Sequence, residues 1–246
     1  MSAATASVPI VHVTLGFRPH TGWAVAVAVG GDLVSPQVVE RRVVALTDEA
    51  QVPAQVYHAA VELEPHAAEA LVRKAERVVA QVTGREVAGF VAELRSNGYL
   101  PLAAGVATTA AGPKSGFGRP DSGWPSNVRP SNVRHSNVRH SNVAYVLAAH
   151  VRMHAAEGEL YGEAIADALD EAGLPVTLIH PRDVAASAAD GLGRDAGSLQ
   201  RMVTAIGASL GPPWRKDEKE ATLLAWTALA DLERRDNDDP PTNGRD

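Results

Sequence analysis

The hydrophobic pattern changes period near residue 54, and that change limits the folds open to this chain. Before it lie three β-rich runs, VPIVHVTLGF (8–17), TGWAVAVAVGGDLV (21–34) and PQVVERRVVAL (36–46). The second alternates and ends at Gly30, Gly31 and Asp32, a turn signal. Together the three predict an antiparallel meander. After it, from about Ala54 to Asn97, Val61, Ala68, Leu71, Val72, Ala75, Val78, Val79 and Val82 recur near helical spacing with charges between them. Gly84 is the point at which this stretch would divide into two helices. YLPLAAGVATT (99–109) reads as a buried strand, and a helix is predicted from Ser141 to Glu171, stopped by Gly173. LPVTLIH (174–180) reads as a further strand, with helices after it at 183–189, 196–208 and 216–234. Three antiparallel strands followed by alternating helices and strands predict an α/β architecture, a mixed sheet with helices on its faces.

Length and composition agree with one domain over 9–234, carrying a loop insertion at 111–140, between a disordered leader (1–8) and a disordered tail (235–246). Aromatic residues are only 4% of the chain, so its core must come mainly from Val, Leu and Ala. A net charge of -6 gives no global attraction for a polyanion, and nucleic acid would need a local basic patch. The absence of cysteine excludes disulfides, cysteine zinc sites and thiol chemistry, and fits a reducing cytoplasm, the expected location. The first residues have neither the basic nor the apolar region of a signal peptide, and no run reaches the roughly 18 apolar residues of a membrane span.

Inside the insertion, SNVRPSNVRHSNVRHSNV (126–143) repeats a five-residue unit. Five residues advance about 140° around a helix, so no common face forms, and an odd period flips successive copies across a strand. The unit resembles the pentapeptide-repeat pattern, but so few copies would close only about one coil of such a solenoid. A tandem duplication tolerated in a loop is the expected origin, and deletion of Ser126–His140 is expected to leave folding intact. Ser141 would cap the helix that follows. Arg129, Arg134 and Arg139, with His135 and His140, would then be phosphate contacts or a solvated loop.

Several side chains carry chemistry by type and spacing. Asp217 and Glu220 lie three apart at the start of the last helix, on a face continued by Ala221, Leu224 and Ala228. They are either inward-facing site residues or, like Glu218, acids favoured by the helix macrodipole. His150, His154 and Glu157 lie at i, i+4 and i+7, a spacing that serves a metal, proton transfer or plain packing. His58 opens the helical stretch and would approach the same cleft. Arg18 and His20 occupy the first hairpin turn. Trp214, in GPPW (211–214), is expected beside the last helix. No phosphate loop, GxGxxG, GxSxG or HExxH motif is present.

Three stretches resemble one family. LGFRPHTGWAVAVAVGGDLV is similar to the first hairpin of the Holliday-junction resolvases of the ribonuclease H-like superfamily. LPVTLIHPRDVAASAADGLGRDAGSLQRMV resembles their penultimate strand and following helices, and DEKEATLLAWTAL their last helix. The resemblance implies a ribonuclease H-like five-stranded mixed sheet, three strands antiparallel and two parallel, flanked by helices. In that family four carboxylates hold two metal ions, usually Mg²⁺, that activate water for phosphodiester cleavage. Asp217 and Glu220 match two of the acids and are the candidate metal ligands. The other two are missing: Arg18 stands where the first-strand Asp belongs, and AAGVATT has no Glu. A guanidinium repels a cation rather than ligating it. The expectation is therefore a degenerate metal site on a domain that binds nucleic acid or a protein partner rather than cutting. The alternative is a hydrolase or nuclease whose site has moved to Arg18, His58, His154, Glu157, Asp217 and Glu220 in one cleft.

Overall fold

The computed structural model describes residues 10–109 and 143–238. The leader, the segment 110–142 with its repeat, and the tail from 239 fall outside the described residues. So Ser141 and the candidate contacts Arg129, Arg134, Arg139, His135 and His140 lie outside the described residues too.

The strands β1 (Val11–Pro19), β2 (Trp23–Gly31) and β3 (Pro36–Ala45) form the expected antiparallel meander. Asp32 turns the chain between β2 and β3 by accepting hydrogen bonds from the backbone N–H groups of Val34 and Ser35 at 2.8 and 2.7 Å. Helix α1 (Val56–Ala60) is a short element by itself, and α2 (Pro65–Ser96) follows. Strand β4 (Tyr99–Ala107) then runs parallel to β1. Helices α3 (Val143–Leu147) and α4 (His150–Glu171) lead to β5 (Val176–Ile179), parallel to β4. Helices α5 (Val184–Gly191), α6 (Ala196–Leu210) and α7 (Lys216–Asp238) complete the described chain. The sheet order is β3-β2-β1-β4-β5, so β1 is central.

Helices cover both faces. Val13, Leu15 and Phe17 of β1 and Ala24, Ala26 and Ala28 of β2 join the α1, α2 and α4 side in one core. The intervening Val25, Val27 and Val29 pack against Ala221 and Ala225 of α7 on the other face. A strand buried on both faces needs apolar residues at every position, which is why β2 reads as an unbroken Val/Ala run.

Helix α7 lies unusually close to the sheet. A Cβ on Gly16 of β1 would overlap the Ala221 carbonyl and sit 2.7 Å from the Ala225 nitrogen. One on Gly105 of β4 would overlap the Leu224 carbonyl and sit 2.8 Å from its carbon. These two glycines let the helix backbone touch the sheet, and the Thr14 hydroxyl donates to the Ala225 carbonyl at 2.8 Å in the same seam.

Two local expectations are corrected. Helix α2 passes through Gly84 without a break. A mid-helix glycine costs about 1 kcal/mol relative to alanine, which burial of Val78, Val79, Val82 and Val87 around it offsets. The predicted helix 141–171 is divided, because Ala149 is extended (φ -153°, ψ 128°) and α4 starts afresh at His150. Nothing in AYVLAAHVR signals that break. Trp214, just before α7, packs against the core that α6 and α7 share, with its indole N–H donating to the Val203 carbonyl at 2.8 Å. No helix among the described residues is long and apolar enough to cross a membrane.

Candidate functional site

The candidate residues meet at the carboxyl ends of β1 and β4, the end of a parallel strand pair where α/β sheets place their ligands. Alternation along β1 decides the direction of Arg18. Thr14, Gly16 and Arg18 share one face, and α7 runs across it from Ala225 through Ala221 to Glu220. The Arg18 guanidinium therefore reaches the first turns of α7, where Nε donates to Glu220 Oε2 at 2.6 Å. Arg18 Nη1 also donates to the Pro19 carbonyl at 3.1 Å. Both charged side chains are 17% exposed. Lys216, itself 79% exposed, approaches the other Glu220 oxygen at 3.6 Å.

Asp217 faces His20. Their Nε2 and Oδ1 atoms are 3.0 Å apart, an ion-pair distance, although the approach is off the line of a hydrogen bond. His20 stacks on Trp23 with ring centroids 4.3 Å apart and planes 16° from parallel. Glu218 turns back to its own helix end. Its carboxylate accepts from the Arg215 backbone N–H at 2.8 Å, the reach-back of a capping box at the start of α7. The macrodipole explanation thus describes Glu218, whereas Asp217 and Glu220 point to the first hairpin.

A second cluster lies beside the first. His150 and His154, one turn apart on α4, face His58 of α1. The His58 ring centroid is 5.0 Å from that of His150 and 4.6 Å from that of His154, and the latter two are 4.4 Å apart. Glu157, one turn further along α4 and only 3% exposed, lies with Oε1 2.9 Å from His58 Nδ1.

A cleft of about 200 Å³ joins the two clusters. Arg18, His20, Thr108, Thr109, His154, Glu157 and Tyr161 are on its wall. Of the six residues of the relocated-site reading, Arg18, His154 and Glu157 line the cleft, while Asp217 and Glu220 reach it through His20 and Arg18. His58 is held behind Glu157.

Tyr161, Thr108 and Thr109 were not singled out by sequence. Tyr161 continues the His150, His154, Glu157 face by one more turn, a signal present in the spacing. The two threonines directly follow β4, beside the strand on which the resemblance would have placed an acid. Burial first, then the nearby Glu157 and Glu49 carboxylates, push the Tyr161 phenol above its usual range, so it stays protonated. Its hydroxyl donates to the Ala54 carbonyl at 2.6 Å.

The order β3-β2-β1-β4-β5, with three antiparallel strands and two parallel ones, is the expected five-stranded mixed α/β sheet flanked by helices. No protein-family model matches the sequence, and no curated protein matches it. Two solved structures are similar to this chain over most of its length. One is Thermus thermophilus RuvC, at 15% identity and a TM-score of 0.46, covering 91% of this chain and 96% of that one. The other is T. thermophilus RuvC in complex with a Holliday junction substrate, at 15% identity and a TM-score of 0.44, covering 92% and 96%.

Proposed function

We propose that this chain is a ribonuclease H-like domain that holds nucleic acid without two-metal cleavage, its metal position being filled by internal ion pairs. The observation that carries the reading is the Arg18–Glu220 contact of 2.6 Å. A two-ion site needs several carboxylates converging on cations about 3.5–4 Å apart. Here one of the two matching acids is bound by a guanidinium and the other faces His20. Arg18 cannot swing aside without leaving the mostly buried Glu220 carboxylate only the solvated Lys216, and no carboxylate ends β4. Mg²⁺ would have to displace a fixed positive charge to enter.

Nucleic acid is the partner class that the resemblance of the first hairpin and last helix implies. The turn itself supports it. Arg18 and His20 offer donors to phosphate, and Trp23, 38% exposed and stacked on His20, offers a face to a base. A protein partner at the same turn is the competing outcome.

A second reading has its own observation. Arg18, His154, Glu157 and Tyr161 share one cleft wall, the convergence that a relocated hydrolase site requires.

One assay separates these readings. Branched, duplex and single-stranded DNA and RNA are titrated with the full chain at several salt concentrations, with and without Mg²⁺ or Mn²⁺, following both anisotropy and strand integrity. The proposal expects salt-dependent binding that Arg18→Ala weakens, and intact strands. Mg²⁺-dependent cutting abolished by Asp217→Asn would overturn it. Metal-independent cutting abolished by Glu157→Gln would establish the second reading, and no binding to any substrate at low salt would leave the protein-partner reading.

A further inference from the structure

We infer that His58, His150 and His154 form a three-histidine site for a divalent transition metal of the Zn²⁺ class, with Glu157 as the carboxylate that orients His58. The site is separate from the acids of α7, and its test uses no nucleic acid, so it stands or falls independently of the binding reading.

Geometry supports the ligand set. One ring nitrogen from each histidine lies within 4.8 Å of those of the other two. Tetrahedral Zn²⁺ with Zn–N bonds of about 2.0–2.1 Å holds its ligand nitrogens about 3.3 Å apart. A small rotation of the exposed His150 and His154 side chains about their χ angles closes the gap. Local structure prepares the arrangement. The break at Ala149 makes His150 the first residue of α4, and helical spacing sets His154 one turn above it. Helix α1 delivers His58 across from them.

Glu157 supplies the second, independent observation. It is a buried carboxylate whose Oε1 lies 2.9 Å from His58 Nδ1. An ionised carboxylate only accepts, so Nδ1 carries the proton and donates. The lone pair of His58 is thereby confined to Nε2. Metal-binding histidines are held in this way, the second nitrogen donating to a carboxylate that sets the tautomer and raises ligand basicity. With no cysteine in the chain, imidazole is its only strong ligand for a borderline-soft cation. Three protein ligands leave a fourth position open. His154 and Glu157 both line the cleft, which puts that position on its rim.

The test uses the tag-free full chain, stripped with a chelator and titrated with Zn²⁺ in the presence of a chromophoric competitor, with Co²⁺ as the spectroscopic probe. The inference expects one tight Zn²⁺ per chain and visible absorption typical of four- or five-coordinate Co²⁺. His150→Ala and His154→Ala, at exposed positions that leave the fold intact, should each weaken Zn²⁺ by 10-fold or more. Glu157→Gln should weaken it by about 10–100-fold, as loss of an orienting partner does. His135→Ala with His140→Ala should leave affinity unchanged. Absence of tight Zn²⁺ binding would overturn the inference. So would binding that is indifferent to His150 and His154 but lost with His135 and His140, which would place the metal in the repeat.

Discussion

Removing Arg18 tests directly whether the α7 acids are committed to an internal cation. Arg18→Ala takes the guanidinium from Glu220, which is 17% exposed and retains only the solvated Lys216 at 3.6 Å. An exposed pair is worth about 0–1 kcal/mol, whereas breaking a fully buried one costs about 3–5 kcal/mol. At this burial the expected loss lies between, about 2–3 kcal/mol, and includes the packing of the arginine stem. Glu220→Ala should cost about 2 kcal/mol, since Arg18 then keeps only the Pro19 carbonyl. The double variant should lose clearly less than the two single losses together, with a coupling of about 1.5 kcal/mol. For a chain of this size, each kcal/mol moves the thermal midpoint by roughly 2–4 °C, so Arg18→Ala should melt roughly 5–10 °C lower. Urea unfolding of the four proteins measures the cycle. A coupling below about 0.3 kcal/mol would mean that the pair contributes nothing, and the argument that it replaces a metal site would fail.

Two further outcomes follow from packing and from titration. Gly105→Ala must lift α7 off β4 because the new methyl meets the Leu224 backbone, and a loss of about 3 kcal/mol or more is expected in thermal melts, with Gly16→Ala behaving alike. A wild-type midpoint in either variant would disprove the close seam. The raised Tyr161 pKa makes the native state hold a proton that the unfolded chain sheds above about pH 10. Stability should therefore fall as pH rises through that value, and Tyr161→Phe should flatten the fall while costing about 1 kcal/mol at neutral pH through the lost bond to Ala54. A parallel alkaline decline in both proteins, followed by urea midpoints from pH 8 upward, would count against it.

Much of this molecule is written in local periods. β-rich runs mark the three strands of the meander, and the two-residue period of a strand sets Thr14, Gly16 and Arg18 on one face. Helical spacing unites Asp217 with Glu220, and His150 with His154 and Glu157. Those relations depend only on backbone geometry within an element, so the sequence by itself determined them. Tertiary structure decided the rest. Arg18 meets Glu220 across 202 positions, and His58 meets Glu157 across 99, because the order of strands in the sheet and the layers of helices upon it bring them together. The extended Ala149 and the helical path through Gly84 are likewise set by packing, which outweighs propensities of about 1 kcal/mol or less per residue. Trp214, in the core shared by α6 and α7, bonds through its indole N–H to the Val203 carbonyl, a partner that only the packing supplies. Local periods specify which way a side chain points, and only the assembled sheet specifies what stands opposite it.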